Sequence, residues 1–234
     1  MSFNSLAIEE ILMIPKPAQQ ARSDGRRDFW NQFYESSAES WELSLPSQFA
    51  AFVANEIDRK AHVVDIGCGN ARDSFFFSRH GFLVTGLDAS EVAVASAREH
   101  TKTQGGDGLE FAITNLKDGM VQQVLSNRRA KAVCIYARFF LHAITDDEED
   151  SLIDALHEGC QPGDIVAFEY RTLADRDTTK VAPPHFRRYL CAAELDEKMK
   201  QFQFAKRYGV EGVGFAKYKA EDAIVARAIY EKGL

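Results

Sequence analysis

Val63-Val64-Asp65-Ile66-Gly67-Cys68-Gly69-Asn70-Ala71-Arg72-Asp73 is the stretch that decides the fold. A short β-branched run stops at two glycines one residue apart, and a polar helix start follows. Glycines after a strand let the backbone turn tightly and pass within contact distance of a ligand, and the next helix offers amides to it. A dinucleotide-binding turn wants a small residue at position 72, where helix and strand pack closely, and Arg72 stands there instead. The alternative pattern, acidic-x-G-x-G-x-G, wants a small residue at 71, and Ala71 meets it. Asp65, two residues before the first glycine, suits a bound ammonium and would repel a pyrophosphate.

Outward from this turn the chain alternates between strand-like and helix-like segments. Strands are expected at 61–66, 82–87, 109–113, 132–136 and 165–170, and helices at 73–80, 90–100 and 120–125. Thr145-Asp146-Asp147-Glu148 is a capping-box pattern opening a further helix. Residues 202–208 and 223–230 read as two last strands, too close in sequence for a crossover helix, hence an antiparallel pair at one end of the sheet. Such repeats imply an α/β fold with a mainly parallel sheet, helices on both faces, and ligands beyond the carboxyl ends of the strands. Upstream, aromatic and apolar residues recur at helical spacing from Asp28 to Ile57, as two helices separated near Pro46. Ile8, Ile11, Leu12 and Ile14 suggest a short amphipathic turn ended by Pro15 and Pro17, and Ser23-Asp24-Gly25-Arg26 reads as a loop. The division expected is a helical segment or lid over residues 1–57 and one domain over 58–234.

The segment from Ala61 to Asp73 resembles the class I S-adenosylmethionine-dependent methyltransferases, and looser motifs extend the likeness from Asp28 onward. The resemblance implies a Rossmann-like, doubly wound seven-stranded sheet, mostly parallel with one antiparallel strand near the C-terminus. It also implies S-adenosylmethionine as cofactor and S-adenosylhomocysteine as product. The methionine part would lie over Gly67, Cys68 and Gly69, flanked by Asp65, Arg72 and Asp73, with the ribose on Asp88 and Ala89 at the end of the second strand. A carboxylate there can accept both ribose hydroxyl protons, although Asp88 also fits a plain helix cap before Ser90. Asn115, with Leu116, stands where the family often has an aspartate facing the adenine amine, and Tyr136 lies at the end of the fourth strand. Trp30 and Tyr34, in the run Phe29-Trp30-Asn31-Gln32-Phe33-Tyr34, are the expected lid contacts; core packing is the alternative for Phe29 and Phe33.

The acceptor side is read from two segments. Tyr136-Ala137-Arg138-Phe139-Phe140-Leu141-His142 lacks the Asn/Asp-Pro-Pro-aromatic motif common in enzymes that methylate amide or base nitrogens. Arg138 and His142 share a face if this segment starts a helix, Arg138 on an anion and His142 as a base or a contact to the cofactor; the alternative is a structural ion pair and a buried histidine. Glu169, Arg171, Lys180 and the block His185-Phe186-Arg187-Arg188-Tyr189 gather cations in an otherwise acidic chain, which points to a small anionic or phosphorylated acceptor, with His185 as second candidate for the proton. A solvated loop with ion pairs to Asp175 and Asp177 is the alternative. These two blocks resemble those of bacterial methyltransferases of capsule and surface-glycan assembly, and more distantly thiopurine- and tellurite-type enzymes, so a glycan-related acceptor methylated at oxygen is the expectation. An NAD-dependent oxidoreductase and a non-catalytic cofactor-binding module are the rivals.

The chain has 234 residues and a net charge of −7, which argues against nucleic acid as a dominant partner. No apolar run approaches the roughly 20 residues of a membrane span. Cys68, Cys134, Cys160 and Cys191 are scattered, without a metal-binding pair, as in a cytoplasmic chain with reduced thiols. No metal is expected, and pairing of two chains is left open.

Overall fold

Five buried residues, three of them apolar, form the first strand, β1 (His62–Ile66), and strands this buried occur where helices cover both faces of a sheet. The computed structural model describes residues 16–36, 45–104, 108–181 and 184–234, with side chains of the first span from Gly25 onward. Strands β2 (Leu83–Asp88), β3 (Leu109–Ile113), β4 (Val133–Arg138) and β5 (Ile165–Arg171) run parallel to β1. Two more follow, β6 (Phe204–Gly212) and β7 (Val225–Lys232), and the order across the seven-stranded sheet is β3-β2-β1-β4-β5-β7-β6. β7 inserts between β5 and β6 and is antiparallel to both. The expected α/β sheet with one antiparallel strand near the C-terminus is therefore what forms.

Helices α1 (Lys16–Ser36), α2 (Gln48–Glu56), α3 (Arg72–Arg79), α4 (Glu91–Gln104), α5 (Met120–Ser126), α6 (Asp146–Gly159) and α7 (Ala192–Gln201) cover the sheet. Two apolar clusters lie on opposite faces, one holding Val64, Ile66, Ile135, Leu152 and Phe168, the other Val63, Phe77, Phe82, Cys134 and Ala167. The alternation of Val63 and Val64 between them follows the period of two along a strand. α2 buries Phe49, Ala50, Val53 and Ala54 in the second cluster, so the sheet's core reaches upstream of residue 57.

One reading of the N-terminal region changes. Ser23-Asp24-Gly25-Arg26 is helical, within α1, rather than a loop. Pro17 falls in the first helical turn, where its missing N–H is no loss, and the mid-helix glycine is offset by tertiary anchors. Arg26 forks onto Glu148 at 2.6 and 2.7 Å, and Asn31 accepts a hydrogen bond from the Ser90 hydroxyl at 2.7 Å. The proposed turn around Ile8–Ile14 lies outside the described residues. α7 escaped the sequence reading, because Leu195 and Met199 are its only buried residues in a charged stretch. Among the described residues no helix is long and apolar enough to cross a membrane.

The capping box at α6 forms, with Thr145 Oγ1 accepting from Glu148 N and Glu148 Oε2 accepting from Thr145 N at 2.8 Å. Glu148 thus serves both the start of α6 and the anchoring of α1. Glu148→Ala is expected to cost about 2 kcal/mol in urea unfolding. Amide exchange should also quicken over residues 25–36 and stay unchanged over β1, β4 and β5; equal quickening everywhere would show that α1 has no separate anchor.

Candidate functional site

At the carboxyl end of β1 the chain enters the left-handed region at Gly67 (φ +72°), Gly69 (φ +52°) and Ala71 (φ 57°). Glycine is required at the first two positions for space as well as for φ. A Cβ on Gly67 would run into the Phe140 ring, and one on Gly69 into the Tyr34 hydroxyl. The turn is therefore held between the segment after β4 and the lid helix α1. Its amides are not bare, contrary to expectation. Gly67 N and Cys68 N both donate to Leu87 O, at 2.7 and 3.1 Å, and Gly69 N donates to Asp88 Oδ2 at 2.8 Å. The glycines bring the backbone close to a ligand without supplying free donors at these three positions.

Two carboxylates flank the turn. Asp65 is buried, accepts one hydrogen bond from the Ser74 hydroxyl at 2.5 Å, and has its pKa pushed by burial up to about 7. Asp88 accepts from the amides of Gly69 and Ser90, and burial still leaves its pKa raised. Neither carboxylate is in an ion pair among the described residues. Burial, with Asp88 and the Cys68 sulfur nearby, keeps the Tyr34 phenol protonated far above its usual range. Burial likewise holds the Cys68 thiol un-ionised, so it is no nucleophile.

Other expected cofactor residues are placed differently. Asp73 accepts from Ser47 N (2.8 Å), Ser47 Oγ (2.7 Å) and Tyr136 Oη (2.8 Å), and Arg72 Nε pairs with it at 3.2 Å. Burial opposes its charge, but the guanidinium groups of Arg72 and Arg138 and the Ser47 bonds outweigh this and lower its pKa. Asp73 is thus committed to joining α2, α3 and β4. Tyr136, stacked under Phe49 at 5.4 Å and 1 % exposed, belongs to the core; both are corrected from ligand to framework. Asn115 Oδ1 already accepts from Lys117 N at 3.0 Å in a local turn, leaving its amide nitrogen uncommitted among the described contacts. Leu116 is buried beside it, and Ala89 is exposed next to Asp88.

On the acceptor side most of the expected anion ligands are internal. Glu169, fully buried, lies between Arg138 Nε (2.8 Å) and Arg227 Nε (2.6 Å). Arg171 bridges Asp175 (2.5 Å) and Glu221, and Lys180 Nζ bonds Asp175 O (2.5 Å) and Thr178 Oγ1 (2.6 Å). Arg188 pairs with Asp146 and Glu149 and donates to Leu141 O at 3.0 Å. Tyr189, half-buried, carries Lys180 Nζ over its ring at 5.4 Å. Glu169, Arg171, Lys180 and Arg188 are accordingly corrected to structural roles, since a buried charge is retained only when paired.

Arg187 differs. Its Nη2 lies 3.2 Å from His185 Nε2, its Nε is buried without a hydrogen-bond partner, and it pairs with no carboxylate among the described residues. His142 is buried, its Nδ1 accepts from Arg171 N at 3.3 Å, and burial with the charges of Arg171 and Arg187 drives its pKa well below the usual range. A neutral ring that accepts at Nδ1 carries its proton on Nε2, so His142 is corrected from base to hydrogen-bond donor. His185 stacks on Phe29 at 4.7 Å and meets Trp30 edge-on at 5.2 Å. Trp30 stacks in turn on Tyr34 at 6.0 Å. Sequence reasoning missed Ser47, Phe140 and Arg227. Ser47 was legible as a helix cap after Pro46; Arg227 gave no signal, being one cation in an alternating strand.

Residues 57–162, just under half of the chain, match the family described as a methyltransferase domain. Over 83 residues the chain is 32% identical to a ubiquinone biosynthesis O-methyltransferase of Coxiella burnetii, a match covering 35% of this chain and 34% of that protein. It therefore spans about a third of the length of the curated relatives it matches. The fold is similar to TehB from Haemophilus influenzae, with TM-score 0.65, 17% identity, and 87% and 67% of the two chains covered. It is also similar to the magnesium protoporphyrin IX methyltransferase of Synechocystis PCC 6803 with bound S-adenosylhomocysteine, with TM-score 0.61, 16% identity, and 87% and 96% covered. Residues 57–162 thus match a methyltransferase domain, and the folds similar to this chain include one solved with bound S-adenosylhomocysteine.

Asp73→Asn should lower the unfolding temperature at pH 7 by several degrees, because three donors lose a charged acceptor. The folded pKa of Asp73 is depressed, so its contribution is present at neutral pH and lost as pH falls below the unfolded value. The gap between variant and parent should therefore shrink toward pH 3; a constant gap would mean that the charge plays no part.

Proposed function

We propose that the whole chain transfers the methyl group of S-adenosylmethionine to an oxygen of a small acceptor carrying negative charge. The observation that carries this reading is the pair of carboxylates, buried Asp65 and half-buried Asp88, both with raised pKa, beside a turn that admits no side chain at Gly67 or Gly69. Asp65 is a buried acid waiting for a cation, which the ammonium of the methionine part provides. Asp88 faces the turn with a carboxylate able to accept both ribose hydroxyls. A dinucleotide would bring its pyrophosphate against two acids, which disfavours the oxidoreductase reading.

The cofactor supplies a methyl group on a positively charged sulfur, which becomes a neutral thioether as the acceptor's lone pair forms the new bond. This chain's own residues bind, orient and exclude water, and such positioning supplies several kcal/mol of a displacement barrier. α1 covers the turn with Tyr34 and Trp30, Phe140 closes it from the other side, and His142 offers a donated hydrogen bond. Arg187 holds the acceptor's charge, and the His185 ring, accepting from Arg187 Nη2 at 3.2 Å, orients that guanidinium and is corrected from base to positioning residue. Oxygen is favoured by the missing Asn/Asp-Pro-Pro-aromatic motif and by the O-methyltransferase relative. The glycan-related part of the expectation rested on the likeness of two sequence blocks, and neither the family model nor the relatives matched support it.

Calorimetry with S-adenosylhomocysteine is expected to show one site, weakened by at least tenfold in Asp88→Ala; absence of binding would overturn the proposal. The pH dependence carries a sign. The folded Asp65 pKa of about 7 drops when an ammonium binds beside it, so affinity should rise from pH 6 to pH 8 with release of a proton. Asp65→Asn should abolish that dependence; the same slope in variant and parent would remove Asp65 from the site.

A further inference from the structure

A cleft of about 240 Å³ lies between α1 and the segment around His185, lined by Gly25, Arg26, Phe29, Trp30, His185 and Phe186. Four of the six lining residues are rings. None contributes an amide, hydroxyl or carboxylate side chain. Arg26 is already spent on Glu148 and lies over the Phe186 ring at 5.1 Å. A sugar in this cleft would leave its hydroxyls without partners, at a cost of a kilocalorie or more for each one buried. A planar ring meets only faces and edges, the arrangement that aromatic side chains favour. The volume is below the roughly 300 Å³ at which pockets for drug-sized ligands begin, which suits a single ring with small substituents.

Charge comes from behind His185. Arg187 Nη2 contacts that ring at 3.2 Å, and within the cationic block it differs from Arg171, Lys180 and Arg188 in having no carboxylate partner among the described residues. Its buried Nε lacks a hydrogen-bond partner. One ring, Tyr34, separates the Trp30 wall of the cleft from Gly69. We propose that this cleft is the acceptor subsite and that it takes a small planar aromatic carboxylate, the ring against Phe29, Trp30 and His185 and the carboxylate at the edge of the His185 ring, directed toward the Arg187 guanidinium just outside the cleft lining. The inference rests on the methyl-transfer reading for its purpose, while the binding it predicts is measurable alone.

The sequence has two tryptophans, Trp30 and Trp41, so Trp41→Phe leaves Trp30 as the fluorescent reporter. Protocatechuate, catechol and fructose bisphosphate are titrated into this protein with and without saturating S-adenosylhomocysteine. Protocatechuate should quench Trp30 saturably and catechol more weakly. Arg187→Gln should weaken protocatechuate by about tenfold and catechol by less than twofold, with Arg187→Lys falling between. Circular dichroism and S-adenosylhomocysteine calorimetry on each variant separate loss of fold from loss of the subsite. Saturable binding of fructose bisphosphate without protocatechuate, or equal losses for protocatechuate and catechol, would overturn the proposal. So would no saturation by either aromatic. Intact aromatic binding with no S-adenosylhomocysteine binding would overturn the methyl-transfer reading instead and leave the aromatic subsite standing.

Discussion

A buried acid, Asp65, and a half-buried one, Asp88, lie beside a backbone turn with no cation paired to either among the described residues, and the rest of the site depends on that constraint. Folding removes Asp65 and much of Asp88 from water, and hydroxyl and amide donors only partly compensate. Such a site gains from a ligand that brings positive charge and hydroxyl donors, which is why the proposed occupant is a cationic nucleoside rather than a phosphate. The parallel sheet places both acids at the carboxyl ends of neighbouring strands, and β1 and β2 in register put Asp65 opposite Gly86. That glycine leaves room at the strand pair for the Cys68 sulfur and the Phe111 ring.

The opposite treatment of charge on the acceptor side explains why its cationic sequence misleads. Glu169 with Arg138 and Arg227, and Asp175 with Arg171 and Lys180, fasten the ends of β4, β5 and β7 to the connection that follows β5. Removing one partner from such a cluster strands another buried charge, so these residues hold the floor of the site and have little freedom to meet an acceptor. What is left for recognition is small: one guanidinium, one ring nitrogen donor and an aromatic wall.

Much of the fold was legible because its signals are local. The β-branched run before Gly67, the Thr145–Glu148 box and the order of strands each follow from short-range chemistry, and Asp65 and Asp88 could be singled out by their distance from the glycines. Partners distant in sequence were not legible. Nothing near Asp73 announces that Ser47 and Tyr136 will consume its carboxylate, and nothing near Glu169 announces Arg227, 58 residues away. The same holds for Arg26 within α1, where a glycine beside it suggested a loop until Glu148, 122 residues on, is seen to hold it. A residue's type could be read, but whether its polar atoms remained available depended on tertiary pairing.

That distinction also defines what α1 does. Its helical propensity is modest, with Gly25 in the interior, and among the described residues side chains such as Arg26, Asn31 and Tyr34 join it to the core. Elements held by few contacts open at lower free energy than the sheet beneath them. Tyr34 lies against Gly69, in the space directly over the turn, so access to the two acids and removal of water from them are controlled by the same helix. The aromatic residues at 29, 30 and 34 therefore serve two surfaces at once, one over the nucleoside crevice and one along the cleft at His185. The proposed displacement between two bound molecules would need both crevices closed together, and a single helix spanning them is suited to do so without any further moving part.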